Sequence, residues 1–283
     1  MQHSTLSARR PPLQDSGYGE WVKRISSSHN PEVRARAKLK ERRGREREGR
    51  FLIEGAREVL RALEAGVSLE ALYFCPDFLG DSGHRVVRRA ETEGIPLTEL
   101  AKAPFNVLSY RENPDGVVAV AKRQEKKLSN LSLPDDALVM VVEGLEKPGN
   151  LGALLRTADS AGAHALFTTG RGTDLENPNV IRSSMGSVFS LPVLAVDDAV
   201  LRTWLRQEGF ALVATTPHTD TLYWDVSYRG RTAILLGAEH NGLSPEWLLG
   251  TPVQIPMQGL ADSLNVATTG ALLLYEALRQ RRE

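Results

Sequence analysis

Apolar and polar positions fall into two blocks with different rhythms. In the first, Phe51-Leu52-Ile53 forms a short apolar run that reads as a buried strand. Ala56, Val59, Leu60 and Leu63 follow at helical spacing, and Gly66 ends that helix. Leu69 to Phe74 reads as a second strand, residues 84–93 as a helix and 103–109 as a short one. Val117 to Val120 closes this small α/β unit. The second block alternates strand and helix. Its strands are expected at 137–142, 164–168, 191–195, 210–214, 232–236 and 253–255, and its helices at 151–161, 180–188 and 198–208. Short, mostly apolar strands separated by helices are what a parallel sheet covered on both faces requires. A last helix from Ser263 to about Arg281 carries Leu264, Ala267, Ala271, Leu274 and Leu278 on one face.

The pattern divides the chain. Residues 1–30 are polar and are expected to be a disordered tail without a signal peptide's apolar core. Residues 31–50 read as a basic helical arm, 51–123 as a small substrate domain, 124–136 as a charged linker and 137–283 as the larger domain. No apolar run is long enough to cross a bilayer. The single cysteine, Cys75, excludes an internal disulfide and fits a cytoplasmic location.

The net charge is zero, but the positive charge is not evenly spread. Residues 32–50 hold nine Arg or Lys against four Glu, an excess of five positive charges. This is either a solvated helix laced with Glu–Arg pairs or a surface facing a polyanion. Arg34, Arg36, Lys38, Arg42 and Arg43, with Arg182 further on, are the candidate phosphate contacts.

The common nucleotide signatures are missing: no Gly-x-Gly-x-x-Gly follows the first strand, and no Walker lysine loop or metal-spaced histidine pair occurs. Three loops rich in Gly and Asn stand out instead. The first, residues 143–156, holds Asn150, Gly152 and Arg156; Asn150 is placed to cap the next helix. An Arg on the first turns opposes the helix dipole, which suggests an anionic partner. The plainer reading is a surface Arg paired with Asp159 or Glu143. The second loop, 235–245, follows a fully apolar strand end; Gly237 and Gly242 allow a tight turn against a ligand. The third, 255–267, sets Met257 and Leu260 beside Gly259 before Ser263 and Asn265 open the last helix. These apolar residues either line an adenine-sized slot or staple that helix.

In this order the loops resemble the three motifs of the SpoU/TrmH family of RNA ribose 2′-O-methyltransferases, within the SPOUT class. Asn150-x-Gly152-x-x-x-Arg156 resembles the first motif and Gly237-x-Glu239-x-x-Gly242-Leu243 the second. Ile255-Pro256-Met257-x-Gly259 with Ser263-Leu264-Asn265-Val266 resembles the third. The stretch from Asn177 to Ser187 matches the pattern between motifs, and Phe51-Leu52-Ile53-Glu54-Gly55 resembles the opening of the family's small RNA-binding domain. The resemblance implies an α/β fold. Its C-terminal SPOUT methyltransferase domain is trefoil-knotted, with a smaller N-terminal α/β domain like an RNA-binding ribosomal protein. It implies S-adenosylmethionine held by Leu236, Gly237, Gly242, Ile255, Met257, Gly259 and Leu264, with no metal. It implies Arg156, Asn150, Glu239, Ser263 and Asn265 as catalytic residues, and a homodimer formed through the catalytic domain. Large-subunit (23S) ribosomal RNA is the expected substrate. The same activity on tRNA, and a catalytically silent RNA-binding relative acting in ribosome assembly, are the alternatives; intact Arg156, Glu239 and Asn265 weigh against the second.

Overall fold

Two sheets organise residues 22–238 and 241–282, the part of the chain described by the computed structural model. The small domain contains β1 (Lys23–Ile25), α1 (Pro31–Ala37), α2 (Arg42–Glu48), β2 (Arg50–Glu54), α3 (Ala56–Glu64) and β3 (Leu69–Phe74). It continues with α4 (Asp81–Thr92), β4 (Leu97–Leu100), α5 (Lys102–Leu108) and β5 (Val117–Lys122). Its strand order is β1-β4-β3-β5-β2, with β5 antiparallel to both neighbours and the other pairings parallel.

Residues 31–50 are helical as expected, while residues 1–21 of the expected tail lie outside the described residues. Residues 23–25 form an edge strand paired with β4, so the tail read over 1–30 is folded at its end. Residues 31–50 are no free arm. Asn30 caps α1 by accepting from the Glu32 amide at 2.9 Å, and Pro31 occupies the first helical position. Val33 and Leu39 are buried with Ile25, Tyr73 and Phe105. Gly44 lies inside α2 and does not end it; a Cβ there would overlap the Lys38 carbonyl. These apolar residues hide among Arg and Lys at spacings that charge alone does not reveal. Strands β1 and β4, with three and four residues, are too short to show a period.

The large domain contains β6 (Leu138–Glu143), α6 (Pro148–Ser160), β7 (Ala165–Thr169), α7 (Pro178–Ser183), α8 (Ser187–Ser190) and β8 (Val193–Ala195). Then come α9 (Asp198–Gln207), β9 (Ala211–Thr215), β10 (Thr232–Leu236), β11 (Thr251–Val253) and α10 (Val266–Arg282). All six strands are parallel, in the order β11-β9-β10-β6-β7-β8. Alternate residues feed opposite cores: Leu138, Met140 and Val142 pack on one face, Val139 and Val141 on the other. The first of these cores runs into the small domain through Phe51, Ile53 and Val59.

Three further expectations shift. The helix read over 180–188 is two, because Met185 (φ 56°) and Gly186 (φ 86°) adopt left-handed backbone between α7 and α8. The last helix begins at Val266, where Asn265 caps it, and Ser263 lies outside. Its buried face is Val266, Gly270, Leu273, Leu274 and Ala277, rotated by about one residue from the expected stripe. Gly270 explains the rotation: a Cβ there would overlap Leu154 and press on Leu236 and Met140, so this side of α10 sits directly on α6 and β10.

Candidate active site

In a parallel sheet every strand ends at the same edge, and ligands bind where the loops leave it. Strand β6 pairs with β10, β10 with β9 and β9 with β11, so loops 144–147, 237–244 and 254–265 all leave the carboxyl edge. The first motif, distant in the chain from the other two, therefore meets them on one side of the molecule.

Their joints are hydrogen-bonded. Asn265 Oδ1 accepts from the Ala267 amide at 2.9 Å and caps α10. The same side chain donates from Nδ2 to Asn150 Oδ1 at 3.2 Å, tying the third motif to the first. In the second motif Ala238 and Gly242 exchange two backbone bonds of 3.1 and 2.9 Å, closing a tight loop. A Cβ on Gly237 would overlap the Gly242 and Leu243 backbone, so only glycine lets that loop close. Glu239 and His240 lie outside the described residues, and the role expected of Glu239 is carried no further by the geometry.

Asn150 does not cap α6 as expected. The helix begins earlier, with Lys147 as N-cap and Pro148 first, so Asn150 is its third residue. Arg156 is then the ninth of thirteen residues, and the dipole argument for an anionic partner falls away, because the dipole acts only within the terminal turn. Geometry replaces it. Asp159 accepts from Ser187 Oγ at 3.3 Å and Ser190 Oγ at 3.0 Å, and Glu143 accepts from the Ser244 amide at 2.7 Å. The two carboxylates offered by the plainer reading bond to Ser187, Ser190 and Ser244 and not to Arg156. Its side chain is exposed and makes no hydrogen bond or ion pair with a described residue.

Of the expected cofactor residues, Gly237, Ile255, Met257 and Leu264 are half-buried, while Gly242 and Gly259 are exposed. Leu236 is fully buried against α10, so its side chain belongs to the core and only its backbone faces the loops. Leu260 is corrected: at 104% exposure it neither lines a slot with Met257 nor staples the helix. Ser263 is exposed beside these loops.

The basic candidates separate into two groups. Arg34, Lys38, Arg43 and Arg182 are exposed without a partner among the described residues. Arg36 donates to the Tyr73 hydroxyl at 3.3 Å, and Arg42 pairs with Glu46 at 2.8 Å and donates to the Gly172 carbonyl at 3.3 Å. Arg45, in the same stretch, is structural: it is buried against Asp174 at 2.7 Å and the Leu39 and Lys40 carbonyls. An open cleft of about 1220 Å³ lies between the two domains, edged by Arg42, Lys122 and Arg123, and reaches the first-motif loop only at Leu145. No cluster of three or more His, Cys, Asp or Glu side chains able to hold a metal occurs among the described residues.

Comparison with known proteins decides the family. The model of the SpoU rRNA Methylase family matches residues 137–275, and that of an MRM3-like substrate binding domain matches residues 30–119. The 23S rRNA (uridine(2479)-2′-O)-methyltransferase of Streptomyces viridochromogenes is 34% identical over 92% of this chain and 93% of its own length. The chain belongs to the SpoU rRNA methylase family. Two solved relatives superpose along nearly the whole of this SpoU rRNA methylase. An RNA 2′-O ribose methyltransferase is 48% identical with a TM-score of 0.82, covering 92% of this chain and 100% of its own. The AdoMet-bound rRNA methyltransferase of Sinorhizobium meliloti is 29% identical with a TM-score of 0.83, covering 91% and 98%.

Sequence reasoning about this SpoU rRNA methylase missed two residues that build the site. Glu143 anchors the second-motif loop through the Ser244 amide, and Gly270 lets α10 settle on α6 so that Asn265 reaches Asn150. A carboxylate at the end of an apolar strand was the available signal for Glu143. Nothing in the pattern marks Gly270, since a helical glycine reads only as a weak point.

Proposed function

We propose that this protein transfers a methyl group from S-adenosylmethionine to a ribose 2′-hydroxyl of large-subunit ribosomal RNA. The observation that carries the reading is Arg156: an exposed guanidinium without a described partner, on the helix whose Asn150 is bonded to Asn265 of the third motif. Members of its family carry the same activity in their names, which supports the substrate class.

The residues fit the cofactor. Ile255, Met257 and Leu264 offer half-buried apolar surface without a charged side chain among them, and the 237–243 and 255–264 loops leave backbone groups outside the sheet ladder. Such a surface suits a flat, uncharged base. Gly237, Gly242, Gly259 and the Leu236 backbone complete the proposed holding set. When bound, S-adenosylmethionine supplies the electrophilic methyl group.

The chain's own residues do the rest by positioning, which can account for most of the acceleration in such a transfer. A guanidinium stays protonated at neutral pH, so Arg156 does not act as a base. It holds the ribose hydroxyl and the neighbouring phosphate, and it stabilises negative charge as that charge develops on the oxygen. Asn150 and Asn265 fix the floor of the site through their mutual hydrogen bond, Ser263 positions the hydroxyl, and Glu239 organises the second-motif loop. The small domain presents the RNA, with Arg34, Lys38 and Arg43, and Arg182 of the large domain, as phosphate contacts without a described partner and Arg36 and Arg42 as partly engaged ones.

The finer architecture follows the same reading. The C-terminal segment threads a trefoil knot, and β10 lying beside β6 is the strand order that supports it. The enzyme acts as a cytoplasmic homodimer; exposed Leu272 and Tyr275 on α10 offer apolar surface for the partner copy.

The test follows methyl-labelled S-adenosylmethionine into unmodified rRNA and tRNA, with digestion to nucleosides. Label should appear in a 2′-O-methyl nucleoside of rRNA. Arg156→Ala should cut turnover by about 10²–10³-fold with cofactor affinity unchanged. Label confined to tRNA would move the substrate, and no label from cofactor-competent protein would overturn the reading.

A further inference from the structure

The short stretch between α5 and β5 holds an arrangement that the motifs do not account for. Ser109, Tyr110 and Arg111 follow α5, and their backbone is fastened from several sides. The Glu54 carboxylate, buried at the end of β2, accepts from Ser109 Oγ at 2.5 Å, the Tyr110 amide at 2.6 Å and the Arg111 amide at 3.4 Å. Arg111 turns inward, donating to the Glu54 carbonyl at 3.2 Å and to buried Glu58 at 3.3 Å. Lys40 donates its amine to the Ser109 carbonyl. Asp115, at the far end of the loop, accepts from the Ala56 amide at 2.9 Å.

Everything around Tyr110 is fixed except its ring. The side chain is 42% exposed and has no ring contact or hydrogen bond among the described residues. The ring stands open on a backbone that Glu54 and Lys40 fasten on either side. The Lys40 amine sits on the adjoining Ser109 carbonyl. An open aromatic face on a fastened backbone, with one amine on the adjoining carbonyl, has the chemistry that takes an unpaired nucleobase: the ring stacks on the base, and the amine adds positive charge toward a flanking phosphate.

We propose that Tyr110 is a stacking platform for an unpaired base of the RNA substrate, and that Glu54 is the positioning residue that holds it. The inference rests on the RNA-modifying reading and adds a site outside the three motifs of the large domain. The platform requires a ring and not a hydroxyl. Stacking is sequence-tolerant, so it fixes the register of the strand on the small domain.

The test measures binding, so it does not depend on methyl transfer. The probes are a mixed-sequence single-stranded oligoribonucleotide and a duplex of the same length, titrated onto the full-length protein, with wild type compared to Tyr110→Ala and Tyr110→Phe. Tyr110→Ala should weaken single-strand binding by about 5- to 150-fold. It should leave duplex binding, S-adenosylmethionine affinity and thermal unfolding unchanged, and Tyr110→Phe should restore wild-type binding. With unmodified rRNA as substrate, the Ala variant should raise KM more than it lowers kcat. Equal single-strand affinity for wild type and Tyr110→Ala overturns the inference while leaving the methyltransferase reading intact. Absent methyl transfer by the wild type, with a Tyr110-dependent affinity, sinks that reading and keeps the platform.

Discussion

One added methyl group separates two glycines of the candidate cofactor site. At Gly237 a Cβ would overlap the Gly242 carbonyl carbon and the Leu243 nitrogen, backbone atoms that cannot swing aside. At Gly259 a Cβ would meet no atom within 4 Å. Gly237→Ala should therefore open the second-motif loop, lowering stability by about 1–3 kcal/mol, as overpacking does. It should also abolish S-adenosylmethionine binding in calorimetric titration. Gly259→Ala should leave the unfolding midpoint unchanged, so any loss of cofactor affinity there reports direct contact with the cofactor. Equal melting curves for the two variants would show that the loop tolerates a side chain at 237. Both glycines stand in motifs that can be read from the chain, yet their unlike roles cannot. The obstacle to a side chain at 237 is backbone five residues away, brought back by the Ala238–Gly242 bridge.

Helix α1 is tied to strand β3 by a three-member chain. Arg36 donates to the Tyr73 hydroxyl, and Tyr73 donates to Glu32 Oε1 at 2.7 Å. Burial, and then the Glu32 carboxylate, push the Tyr73 phenol from 10.0 up to about 12. Below pH 10 the phenol is protonated in both folded and unfolded chains, and its contribution is complete. Between pH 10 and about 12 the unfolded chain ionises first, so stability drains away as pH rises. The side chain is almost fully buried, and the drop amounts to about 2–3 kcal/mol. Urea unfolding followed from pH 9 to 12 should show a shallower decline in Tyr73→Phe than in wild type; identical slopes would mean that the phenol titrates freely. This tie also shows what the elements disclosed beforehand. Strand β3 is found where its apolar run places it, from Leu69 to Phe74, and β10 likewise over Thr232–Leu236. The basic run over 31–50 is helical as its pattern suggests, but its surplus of charge conceals Val33 and Leu39, which dock it on the small domain's core. The break between α7 and α8 depends on a left-handed Met185, whose carbonyl accepts from Arg61 at 2.9 Å. That contact crosses between domains, and no local pattern contains it.

At the scale of the whole molecule, the two domains share a core and are clamped by Arg45 on Asp174 and Arg123 on Glu176, so cations of the small domain keep a fixed place relative to Arg156. Net neutrality then sharpens recognition: a polyanion gains only where positive charge is local. The free cations and the engaged ones should differ in a measurable way. Each phosphate neutralised by a single strand lowers the slope of log affinity against log salt by about 0.7. Replacing Arg34, Lys38 and Arg43 together with Gln should flatten that slope by about 2 between about 50 and about 200 mM salt. Arg42→Gln alone should change it little, because that guanidinium is already spent on Glu46 and the Gly172 carbonyl. Stacking releases few counterions, so Tyr110→Ala should lower affinity equally at every salt concentration and keep the slope. If the triple variant keeps the wild-type slope, the basic run does not touch phosphate, and RNA enters instead along Lys122 and Lys126 at the interdomain cleft.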